Sequence, residues 1–493
     1  MRVLIAITLV AGLANAAAAR PTDVNGSDLW KFAPGDVIEH YDTTSFRVFF
    51  TRAGVNAVPA KDANGDGIPD DVTEVGQLYE DVLVFYTARG FKRPLSDVAT
   101  VNNGGDGRFD VYLVDFNGSA DGRFVRETCD GHLCSGYMVQ ENDFAGYSYP
   151  STTIGNRVLC SHEFFHAVQA AYNNDQDTVV GEGTAVWSTE QYDSTLADLE
   201  GFVGGYLQTN DRSIDRPGIG PVDPFSYGAA IFFQFLGEAL GHDLTRKLYE
   251  DCAPGAQGIA EPKWLPALVA LLSRDYGMAF PDVFTEFSTW NLFTLTRADP
   301  ARGYASGTNY PSVKIQPAAM PYEDDALRVF YASAQVLGFD PNGRRQISVE
   351  VLPAAGLTAD TLAPLRVLVA PVTTGKVGAI TTRLATDPSA PVDVTGATQI
   401  LVELVNTATS GDSTRGILCV GDSNDIAACQ AKNAPVTADP ATTPKMAGGC
   451  QLAARSPSLG WSGGALFLML VGVARRRMRP RSDARTADVL RSG

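Results

Sequence analysis

The sequence predicts an α+β protein in two parts, a mixed sheet with a helical second half over residues 45–310 and a β-sandwich over 311–432. Three observations predict it. Short bulky runs at 45–51, 111–114 and 135–143 read as strands. Helical spacing of apolar residues then dominates from about 154 to 295. After 310, strand-like runs at 346–352, 365–370, 399–406 and 416–420 alternate with Gly/Pro/Asp turns. At 493 residues the chain has room for two or three domains, each with its own core.

Residues 1–19 carry the three parts of a secretory signal peptide. Arg2 is the positive start, Val3 to Leu13 the apolar stretch, and the alanines at 14–19 offer small-residue cleavage sites. Residues 20–44 follow as an N-terminal segment or a propeptide. Seven cysteines fit an oxidising destination. Cys129 and Cys134 flank one short loop, Cys419 and Cys429 another. Cys160 and Cys252 remain, as a third pair or as free buried thiols, and Cys450 is left over. The net charge is −17, and the last nineteen residues hold seven Arg and two Asp, so the rest of the chain carries −22. That acidity argues against nucleic acid as a partner and reads most simply as solubility.

The run 45–51 is the first strand. Asp62, Asn64, Asp66 and Asp70, with Ile68 offering a backbone carbonyl and Gly67 at the sixth position, space oxygens as in an EF-hand calcium loop. Dockerins and thrombospondin type 3 repeats carry similar loops. Thr73 stands where that loop expects a carboxylate, so an Asx/Gly-rich turn is the competing reading. Apolar residues at 72, 75, 78, 79, 82, 85 and 86 predict an amphipathic helix, with Gly90 near its end. Asp106 and Asp110 belong to a turn leading into the buried strand 111–114. The strand at 135–143 is the candidate for pairing with an extended ligand chain, and an internal strand is the alternative.

The predicted helix over 154–172 contains His162-Glu163-Phe164-Phe165-His166. Residues four apart share a helix face, so two imidazoles can grip one metal ion with Glu163 beside them. A catalytic zinc wants three protein ligands and one open position. Gln169 and Ala170 follow where a metzincin would continue toward a third histidine, and His242 reads as a helix terminus. A carboxylate from the next helix is therefore expected, Glu182 or Glu190.

Glu182-Gly183-Thr184-Ala185-Val186-Trp187 resembles the Glu-Gly-x-Ala-x-aromatic segment of gluzincins such as the aminopeptidase N and leukotriene A4 hydrolase group. The resemblance implies a zincin-like metallopeptidase domain with zinc held by His162, His166 and Glu182, and Glu163 as general base. Tyr227, at the start of an apolar helical run to Gly241, resembles the Tyr that donates to the oxyanion in that group. Its Gly follows after one residue instead of three, and a core Tyr is the alternative. The chain lacks a Gly-Ala-Met-Glu-Asn-type segment, which implies an endopeptidase over an aminopeptidase. The stretch from the calcium-like loop through Trp187 is also similar to secreted metalloproteases assigned in myxobacteria.

Residues 433–449 read as a Pro/Thr/Ala-rich linker. Residues 450–481 resemble the MYXO-CTERM sorting signal: Gly449-Cys450, an apolar run from 459 to 474, then Arg475-Arg476-Arg477. The resemblance implies a processing peptidase acting near Cys450 and display on the cell surface or release, and a plain transmembrane anchor is the alternative. Residues 482–493 are then cytoplasmic or removed. The expectation is a secreted or surface-displayed, zinc-dependent endopeptidase acting on proteins or peptides, with metal-activated water attacking the carbonyl. Its rivals are an adhesion protein with a structural or inactive metal site and a metallohydrolase of non-peptide substrates.

Overall fold

Bulky residues with period-two alternation build the first sheet. Its strands and first helix, in chain order, are β1 (Glu39–Asp42), β2 (Phe46–Phe50), α1 (Asp70–Ala88), β3 (Phe109–Val114), β4 (Gly122–Asp130) and β5 (Leu133–Glu141). The computed structural model describes residues 20–434 apart from 27, 217–219 and 221–222. The expected leader and sorting tail, with Cys450, lie outside the described residues. The spatial order is β1-β2-β3-β5-β4, with the inner pairs parallel and the two outer pairs antiparallel. Both faces of this sheet are covered. Phe46, Val48, Val111, Leu113 and Met138 pack with α1 and the helix that follows β5. Phe49, Tyr112, Val114, Tyr137 and Val139 face Phe32, Trp30 and Val24 of the N-terminal segment. The segment that the sequence leaves open as a propeptide thus completes a core.

The strand at 135–143 is a correction. It forms β5, which is internal, and the sheet edge next to it is β4. The physical reason is exposure. An edge strand keeps polar and charged side chains outward, so Gly122–Asp130 reads as a loop, whereas β5 is buried along nearly its whole length and reads strongly as a strand.

Helices follow: α2 (Thr152–Ala170), α3 (Thr178–Tyr192), α4 (Asp198–Leu207), α5 (Pro224–Gly228), α6 (Ala230–Leu240), α7 (Asp243–Asp251), α8 (Trp264–Leu271) and α9 (Phe280–Asn291). Ser151 caps α2 by accepting from Ile154 N, and Asp177 caps α3 by accepting from Val179 N. The remainder is β6 (Ile315–Ala318), β7 (Tyr322–Phe330), β8 (Ser333–Phe339), β9 (Gln346–Pro353), β10 (Leu365–Thr373), β11 (Lys376–Val377), β12 (Thr381–Leu384), β13 (Val392–Asp393), β14 (Gln399–Asn406), β15 (Ser413–Gly421) and α10 (Ser423–Lys432). The order β11-β10-β14-β8-β6, with β12 on β10, makes one sheet, and β13-β9-β15-β7 the other. Val367 and Val369 of β10 face the second sheet, while Leu368, Ala370 and Val372 face the helices. The architecture is therefore α+β, with the six-stranded sheet sharing one face with the helical layer.

Cys129–Cys134 joins β4 to β5, and Cys419–Cys429 joins β15 to α10. The third pairing is a correction, because Cys160 and Cys252 are both free and buried. Cys160 lies within α2 against Gln140, whereas the Cys252 carbonyl accepts from Asn173, just past the end of α2. Ten helical residues lie between Cys160 and the end of α2 at Ala170, a rise of roughly 15 Å at 1.5 Å per residue, and Asn173 lies beyond that end, far outside disulfide reach.

Candidate metal centre

Two helices bring three side chains to one point. The helix α2 places His162 and His166 one turn apart, and α3 presents Glu182 opposite them. His162 Nε2 lies 3.3 Å and His166 Nε2 3.5 Å from the same oxygen, Glu182 Oε2. Among the described residues, these three alone form a group of metal-ligating types with ligand atoms mutually within 4.8 Å. Gly183 lets α3 come close. A Cβ there would meet Phe233 Cε2 at 3.1 Å and the Ala229 backbone at 3.3 Å, so a larger residue would push the Glu182 helix from the α5–α6 layer.

Gln169 supports His166 from behind, and the sequence reading passes over it. Its Oε1 lies 2.9 Å from His166 Nδ1, and its Nε2 donates to Gly181 O (2.8 Å) and Thr184 Oγ1 (3.0 Å). With Nδ1 donating to Gln169, Nε2 is the nitrogen that faces Glu182, and it becomes a metal ligand once its proton is displaced. The signal that could have found Gln169 is its position three residues after His166, on the same helix face.

The electrostatics fit a cation. Burial would push the Glu182 carboxyl up, but the His166 charge and hydrogen bonds from both imidazoles hold it well below the carboxylate range. Burial would push His166 down, but the Glu182 charge and hydrogen bond carry it up to about 10. Burial opposes the same rise at His162, which Glu182 and Glu163 nonetheless produce. Two nitrogens and one carboxylate oxygen around one point are a donor set suited to zinc.

Glu163 sits at the mouth of this group, where its Oε2 accepts from Phe124 N of β4 at 3.1 Å. Tyr227 of α5 stacks on His162 (ring centroids 5.8 Å apart, planes 11° apart) and on Phe202 of α4. Burial, then the charges of Glu182 and Glu163, push its phenol up. A cleft of about 370 Å³ opens here, lined by Gly122, Arg123 and Phe124 of β4 with Glu163, His166, Glu182 and Tyr227. Glu190 lies two turns past Glu182 on α3 and stands outside the metal group.

The calcium-like loop is arranged differently. Asp62 accepts from Gly65 N and Gly67 N, Asn64 from Asp66 N, and Asp66 from Ile68 N. Asp70 accepts from Ala63 N and pairs with Lys61 at 2.9 Å. The side-chain oxygens brace turn amides, and the loop leads directly into α1.

The fold and site define an α+β protein with a His-His-Glu constellation beside a free sheet edge. No family model matches the chain, and no curated protein matches it. Among solved structures, the pre-peptidase C-terminal domain of collagenase from Bacillus anthracis is similar over 22% of this chain and 95% of that domain, at 11% identity and a TM-score of 0.17. An overlap that slight carries no argument about the site.

Proposed function

We propose that the chain is a zinc-dependent endopeptidase with a zincin-like catalytic layer, secreted or displayed at the cell surface. One observation carries this reading: both His Nε2 atoms of a single helical turn aim at one Glu182 oxygen, with the Glu163 carboxylate beside them. His162, His166 and Glu182 would hold the ion. When bound, zinc supplies Lewis-acid polarisation of the scissile carbonyl and makes water more acidic.

The chain's own residues do the rest. Glu163 takes a proton from the attacking water and passes it to the leaving amine. The Tyr227 phenol, kept protonated by its surroundings, donates to the oxygen that becomes negative in the transition state. The free edge of β4 offers backbone groups to an extended substrate beside the cleft. Gln169 holds the His166 ring in register.

The test is casein cleavage by the full-length protein, wild type against Glu163→Gln, with bound zinc quantified in both. The expected result is one zinc per chain in each and at least a hundredfold lower cleavage in the variant, the range for loss of a general base. Absence of bound zinc in both proteins would overturn the reading.

A further inference from the structure

Three carboxylates beside the candidate catalytic centre have no positive partner. Glu190 of α3 is 8% exposed, and its Oε2 is buried with no hydrogen bond. Asp198 Oδ2 and Glu200 Oε2, from the first turn of α4, are also buried without partners. The hydroxyl of fully buried Tyr310, which feels the charges of Glu238, Glu190 and Glu200, is a fourth unmatched group. Among the described residues, no Lys, Arg or His pairs with the three acids. The nearby Arg157 is taken by Asp193 at 2.5 Å. Burial, then the charges of Glu200, Asp198, Glu238 and Asp193, push Glu190 up to about 7; burial, opposed by the charge of His162 and helped by Asp121 and Glu200, pushes Asp198 up to about 6.

Buried polar atoms in proteins are rarely left unmatched, and a group of them marks water or a ligand. Water leaves the charge uncompensated. A metal ion needs ligand atoms drawn close, and among the described residues only His162, His166 and Glu182 achieve that spacing. The group also adjoins the reaction centre. Asp198 and Phe202 lie four residues apart on one face of α4, Phe202 stacks on Tyr227, and Tyr227 stacks on His162.

We propose that Glu190, Asp198 and Glu200 form a specificity subsite for a cationic substrate side chain, the guanidinium of Arg or the ammonium of Lys close to the scissile bond. This inference rests on the peptidase reading above. The several donors of these groups suit carboxylates spaced more widely than a metal shell. Reach selects the side chain over a free α-amine. Glu190 follows Glu182 by eight residues of α3, roughly 12 Å along the axis, a span for a long side chain and not for an amine on the scissile residue itself.

The experiment has two readouts on full-length protein. First, casein digests are mapped for cleavage sites, and N-acetylated and free peptides carrying Lys or norleucine next to the cut are compared. The expected outcome is at least a tenfold preference for Lys in kcat/KM, independent of acetylation, that falls toward one in Asp198→Asn and in Glu190→Gln. Preference for a free amine over the Lys side chain, or an unchanged ratio in both variants, overturns the subsite. Second, fluorescently labelled Lys and norleucine peptides are titrated onto Glu163→Gln, where binding is read without turnover. If the wild type cuts nothing, yet the Lys peptide binds tenfold tighter and loses that margin in the double variants with Asp198→Asn and with Glu190→Gln, the cationic subsite stands and the peptidase reading falls. If the wild type cuts with no charge preference, the peptidase reading stands and the subsite falls. Thermal melts of each variant confirm folding.

Discussion

Gln169 shows how much of the site lies one shell behind the ligands. Its amide accepts from His166 and donates to Gly181 and Thr184, so it ties the imidazole to the start of α3, the helix that brings Glu182. Replacing it with Ala frees the ring and lets the other tautomer form. Zinc affinity is expected to fall about 10- to 100-fold, the usual effect of losing such a support. Chelator competition measures it, and Gln169→Glu, which keeps the acceptor for His166 but loses the donor to Gly181, should recover part of the loss, whereas a packing role alone would not be rescued. The sequence displays this site unevenly. His162, Glu163 and His166 are legible because helical spacing alone places them together. Glu182 needs a resemblance to single it out from Glu190. Asp198 is invisible in the sequence, because only the packing of α4 brings it toward His162.

At the scale of elements, the position of Tyr227 depends on two helices touching backbone to backbone. A Cβ on Gly228 would clash with the Tyr206 amide and lie 2.8 Å from Phe202 O, and one on Gly205 would clash with Pro224 O. Neither obstacle is a flexible side-chain tip, so Gly228→Ala must part α4 from α5. It would move Tyr227 from both His162 and Phe202. The expected cost is about 1–3 kcal/mol in stability, as for other overpacked cores, with a drop in kcat and retained zinc. Urea melts, zinc content and steady-state kinetics together check this, and unchanged kcat with lowered stability would confine the contact to packing. The same scale explains two departures from sequence expectation. The sheet edge belongs to β4 because an edge strand hides its period in polar residues. The Cys160–Cys252 pairing fails because cysteine count carries no distance along a helix.

At the scale of the molecule, the sequence divides the chain near 310, but β10 is apolar on both faces and couples the six-stranded sheet to the helices. A strand buried on both sides reads as a continuous apolar run and does not say what covers its second face. The N-terminal segment poses the same problem in miniature. Arg20 is buried among Asp97 (2.5 Å), Glu127 (2.6 Å) and Asp110, a cluster that binds this segment to the sheet whose edge borders the cleft. Burial pushes Asp97 up and Asp110 up to about 7 even with the guanidinium present. Carboxyl groups raised in the folded state give full stability below their unfolded pKa, near 4, and lose it as pH rises toward 7. Arg20→Ala removes the opposing charge, pushes these groups further up and deepens that loss. The expected cost is about 3–5 kcal/mol at pH 8, the scale for an uncompensated buried charge, and much less near pH 4, below the raised pKa of Asp110. Urea midpoints of wild type and variant across this range measure the difference. A gap that widens with pH makes Arg20 the electrostatic anchor of the sheet's outer cover, so the mature protein must retain it. A gap that is constant with pH would reduce Arg20 to packing and reopen the segment to removal as a propeptide.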